Sequence, residues 1–124
     1  MHYNETSVTV RDLMYTIIPR LNSAQRLVNN TLDSLIEVSK QPEDLARRLD
    51  QQRRFQMETH AIHMNLEHLL KRYQEEINAV TRSEGRLPGA QISPDEMEAD
   101  AISRAQEIYA RVHAFQTGSR KMPF

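Results

Sequence analysis

The sequence predicts an all-α fold, an elongated three-helix bundle or a helical hairpin with coiled-coil character. Three observations carry this. Apolar residues recur at three- and four-residue spacing over two long stretches, the period of a helix face. The 124 residues hold only 3 Gly and 5 Pro, too few for a turn-rich sandwich or barrel. The clearest punctuation falls around residues 39–44 and 84–91, dividing the chain into three long periodic segments.

The first helix is expected over residues 10–39. Thr9 and Asp12 have the spacing of a capping box. A stripe then runs through Leu13, Ile17, Leu21, Ala24, Val28, Thr31, Leu35 and Val38, widened by Met14, Ile18, Leu27, Leu32 and Ile36. A stripe that broad suits a helix with more than one neighbour. Pro19 lies inside it. Its ring clashes with the carbonyl four residues back, at Tyr15, so the spacing predicts a kinked or two-part helix.

Pro42, Glu43 and Asp44 suit the first turn of a second helix, over residues 43–83. Leu45, Leu49, Gln52, Gln56, Thr59, His63, Leu66, Leu70, Tyr73, Ile77 and Val80 alternate four and three apart, as in a heptad seam. At 1.5 Å per residue this helix would span roughly 60 Å. It either bends near its polar middle or extends as a hairpin arm that also meets another chain. In that middle, buried Gln52, Gln56, Thr59 and His63 could fix register between helices. Alternatively the seam drifts outward there, and Phe55, Ile62 and Leu69 take over the core.

The third helix is expected over residues 94–116. Ser93 would cap it, Pro94 would be its first residue, and Glu96 would complete the box. Met97, Ala101, Ala105, Ile108, Val112 and Phe115 mark its apolar face. The whole chain reads as one domain, residues 1–124. Its flexible parts are expected to be a leader of about residues 1–8, the loop 85–92 and a tail of about residues 118–124.

Composition narrows the function. The formal charge is -1, unlike the basic excess of a dedicated nucleic-acid binder, so nucleic acid is not the expected partner. With no Cys, disulfides, cysteine catalysis and thiolate metal sites are excluded. Residues 1–6 show no signal-peptide pattern, and no apolar run approaches the roughly 20 residues of a membrane span. The expected compartment is the cytoplasm, and a signal-less export route would leave the same sequence.

Catalytic and metal signals are weak. No nucleophile turn, phosphate loop or His-Glu-x-x-His motif is present, and an enzyme is not expected. His60, His63 and Glu67 share a helix face and, with His113, offer ligands to zinc or iron; the simpler reading is one seam histidine and solvent-facing neighbours, so no cofactor is expected. The expected role is a non-enzymatic protein-binding or assembly module: a small adaptor, a chaperone or a subunit of a larger helical complex. The alternative is a self-assembling structural or secreted helical factor. The expected partner is protein, another copy or a different helical chain. The expected interface joins Arg47, Arg48, Arg53 and Arg54 to Gln52, Gln56, Met57, His63, Met64, Leu66, Leu70, Tyr73 and Ile77.

Overall fold

A computed structural model of the chain describes residues 7–124. Most of the expected leader, residues 1–6, lies outside the described residues. The fold is an all-α bundle of four helices. α1 opens with Val10–Asp12, passes through a π-helical turn at Leu13–Ile17 and continues as Ile18–Val38; α2 is Pro42–Arg72, α3 is Gln74–Arg82 and α4 is Glu96–Gln116. Thr9 caps α1 in a complete box with Asp12, each side chain accepting the other's backbone N–H. The π-turn ends just before Pro19. Its wider coil removes the need for an α-type bond from position 19 to Tyr15, so the chain stays helical through the proline.

The single helix expected over residues 43–83 is two helices, and the bundle is a compact four-helix one rather than an elongated three-helix one. The break is at Tyr73, whose backbone leaves the helical basin at φ -111 and ψ 24. Its N–H bonds to Leu70 at 3.2 Å, a tighter closure than the helix's own. The Tyr73 hydroxyl accepts the Ser93 N–H at 2.8 Å, and neighbouring Arg72 reaches the Ser93 carbonyl. Bonds to the chain entering α4 thus fasten both residues at the break. Beyond it α3 turns back over the start of α1. Val80 is fully buried, and Gly89 passes so close that a Cβ there would lie 2.6 Å from Val80 and 3.1 Å from Val10. A straight helix would have carried Val80 away from this contact.

Through the polar middle of α2 the seam drifts outward, the second of the two readings of the sequence, and Phe55, Ile62 and Leu69 take the core. Phe55, Thr59, Ile62, Leu66 and Leu69 face inward, while Leu49 and Gln56 are exposed. They meet Leu21, Ala24, Val28 and Leu32 of α1 and Ala101, Ile102, Ala105, Ile108 and Val112 of α4 in one core. The polar residues of the expected seam sit at its edge. Gln52 donates to Asp33 at 2.7 Å, and His63 pairs with Gln25 at 2.8 Å, so they tie α2 to α1. Buried Thr59 donates its hydroxyl to the Phe55 carbonyl within its own turn.

The loop and the tail are both attached to the bundle. Val8 and Ile92 are buried and joined by a 2.8 Å backbone bond, and Val10 donates to the Ala90 carbonyl. After α4 the chain turns at Gly118, φ +87, and comes back so that Pro123 is buried and Phe124 packs against the core.

Candidate functional site

The strongest polar constellation lies where α4 begins. The cap of α4 is Asp95, not Ser93. Asp95 accepts the Glu98 N–H at 2.8 Å, and Glu98 accepts the Asp95 N–H at 2.9 Å. A cap at Asp95 turns Glu98 inward, where its side chain is fully buried. There its two oxygens receive the Arg72 guanidinium at 2.6 and 3.1 Å, and one lies 2.7 Å from His68 Nδ1. The Arg72 guanidinium holds the Glu98 carboxyl down at about 2, helped by the Asp95 N–H and His68 against the opposing effect of burial. The cluster therefore joins a helix cap to an ion pair between α2 and α4.

His68, Asp95 and Glu98 offer ligand atoms within 4.8 Å of one another. As a cation site the set is compromised, because the Arg72 charge already occupies both Glu98 oxygens. The metal set expected from sequence does not converge. His60 and Glu67 are exposed, His63 is engaged with Gln25 across the α1–α2 contact, and His113 lies on α4 with its ring 6.0 Å from that of Tyr109.

The expected interface residues separate into three groups. Leu66 is buried and Leu70, Tyr73 and Ile77 pack against the core, so they belong to the bundle itself. Gln52 and His63 bind α1. The remainder are on the surface of α2, where Arg47 pairs with Asp44, Arg48 with Gln51, and Arg53 and Arg54 with Asp50, while Gln56, Met57 and Met64 are exposed. Arg53 and Arg54 together hold the Asp50 carboxyl below its usual range.

Between α2 and α4 runs an open groove of about 530 Å³. Phe55, Ala61, Ile62, Met97, Ala101 and Phe124 give it an apolar floor and rim. Glu58 faces Arg104 across it at 3.5 Å, Asp100 pairs with Arg104 along α4, and Arg111 comes within 3.9 Å of Glu58. Met97, expected on the buried face of its helix, instead stands 61% exposed at this groove. Met57 and Met64, 65% and 59% exposed, lie on the adjoining outer surface of α2. Sequence reasoning missed Glu98, Arg72 and the groove. The overlapping box Asp95-Glu98 was the available signal for the first.

Comparison of the chain with protein-family models, with curated proteins and with solved structures returns no match. No helix among the described residues is long and apolar enough to cross a membrane.

Proposed function

We infer that the protein is a non-enzymatic helical binding module whose contact surface is the outer side of α2 and the adjoining α2–α4 groove. One observation carries the reading: three methionines stand well exposed, Met57 and Met64 on the outer side of α2 and Met97 in the lining of the α2–α4 groove. Methionine is flexible and polarizable, and it is favoured where a surface must fit a partner of irregular shape. The open groove suits an amphipathic helix better than an enclosed small molecule. The Arg side chains beside it supply orientation, and the apolar contacts supply most of the energy. The well-formed polar cluster at Glu98 is occupied in holding α4 to α2, which favours a structural role for it over a catalytic one.

Photo-crosslinking tests this reading. A photoreactive amino acid replaces Met57, Met64 or Met97 singly, and Glu107 as a control on the exposed side of α4. Irradiation in the native cells is expected to join the three methionine positions, and not position 107, to a polypeptide identified by mass. Equal labelling at all four positions, or none, overturns it.

A further inference from the structure

The charge pattern on the outer face of α2 names a partner for it. Met57, Ala61 and Met64 are spaced by four and three residues, so they share one helix face, and all three are exposed. The inward residues Phe55, Ile62, Leu66 and Leu69 occupy the opposite side of the same helix. Small Ala61 between two long methionines offers a recess flanked by two projections. One to two turns before Met57 stand Arg53 and Asp50, 2.9 Å apart. One to two turns after Met64 stand Glu67 and Lys71, 4.0 Å apart. The Arg53, Glu67 and Lys71 side chains are all exposed.

We propose that this face pairs with a second copy of the chain, the two α2 helices running antiparallel about a two-fold axis beside Ala61. The proposal rests on the binding reading above and deepens it by naming the partner. In this register Met57 of one copy meets Met64 of the other. Stepping outward along each helix then sets Arg53 against Glu67 and Asp50 against Lys71. Two-fold symmetry repeats both pairs, so four opposite-charge contacts flank one apolar centre. Parallel pairing in register would put Arg53 against Arg53 and Glu67 against Glu67, so the charges select the antiparallel arrangement. With three apolar residues per copy the interface is small, below about 1,200 Å² in total, and the dimer is weak.

Sedimentation equilibrium from about 5 µM to 1 mM tests the pairing. The parent chain shifts from monomer to dimer across this range. Arg53→Glu and Glu67→Arg each weaken the dimer by about tenfold, because each creates two like-charge contacts. The combined Arg53→Glu, Glu67→Arg variant exchanges the charges and returns the affinity to within about threefold of the parent. All four positions of the charge pattern are on the surface, and far-ultraviolet dichroism checks that each variant keeps its helicity. A parent chain that stays monomeric, or a combined variant no tighter than the single ones, overturns the proposal. A monomer that still crosslinks to a different polypeptide through Met57 or Met64 refutes the second copy as partner and leaves the binding reading standing. A monomer with no adduct at Met57, Met64 or Met97 removes both.

Discussion

Replacing Glu98 disturbs the cap of α4 and the α2–α4 junction together. Glu98→Ala removes the acceptor of the Asp95 N–H and both carboxylate oxygens that accept from the Arg72 guanidinium, inside a fully buried position. The lost arm of the box, one hydrogen bond from the Asp95 N–H, costs about 1 kcal/mol. Charge-assisted bonds at a buried carboxylate raise the total to about 2–4 kcal/mol. Glu98→Gln keeps the shape and one acceptor, and its cost is closer to 1–2 kcal/mol, about half as large. The effect depends on pH with a definite sign. The Glu98 carboxyl is lowered from 4.5 to about 2 in the folded chain, so its contribution is present above about pH 4.5 and is lost as pH falls toward 2. Full linkage would give about 3 kcal/mol, but the Arg72 side chain is 40% exposed and water screens the pair, leaving about 1–2 kcal/mol. Urea melts of the parent and Glu98→Gln at about pH 7 and again near pH 2.5 should show the gap narrowing. A gap that stays constant over that range, or a Glu98→Ala cost below about 0.5 kcal/mol, would refute the reasoning.

Other outcomes follow from the packing. Leu66→Ala, at a buried position, should cost about 2–5 kcal/mol in urea melts, while half-buried Leu70→Ala should cost about half as much; equal costs would contradict the inward stripe described for α2. Gly89→Ala, with φ +73 and a Cβ 2.6 Å from Val80, should destabilise by more than about 2 kcal/mol, whereas Gly118→Ala, with φ +87 but open space around it, should cost only about 1 kcal/mol. Equimolar zinc should leave the thermal midpoint unchanged, since the Arg72 charge already fills the Glu98 end of the His68, Asp95 and Glu98 set; a rise of more than about 4 °C would show that a cation displaces it.

Much of the fold is legible in the residues because it is local. The 3.6-residue period marked the helical stretches, though not the break at Tyr73, and the Thr9–Asp12 box located the start of α1. What was not legible depends on distant partners. Nothing within residues 70–76 marks a break, because Tyr73 is held by Ser93, twenty positions away. Two capping boxes overlap, at Ser93–Glu96 and at Asp95–Glu98. The choice falls to Asp95, whose partner Glu98 meets Arg72 and His68 of α2. The sequence left two seams open in α2, and the choice between them also depends on distant partners. Heptad spacing fits both the set through Gln52, Gln56 and His63 and the set through Phe55, Ile62 and Leu69, and the apolar set wins because α1 and α4 both pack on it. The candidate surface was half legible. Met57 and Met64 were named from sequence and are exposed, whereas Leu66, Leu70, Tyr73 and Ile77 were assigned to a partner interface and serve the chain's own core.

The methyl resonances of the methionines test most directly whether the outer face of α2 is a contact surface. The chain has 6 methionines, and each carries one methyl group that can be isotope-labelled and followed by NMR. Met14 packs against the core and serves as the internal reference. Between about 10 µM and 1 mM the Met57 and Met64 methyls should shift progressively while Met14 stays fixed. Unchanged Met57 and Met64 positions over the whole range, with shifts confined to other methionines, would contradict the account.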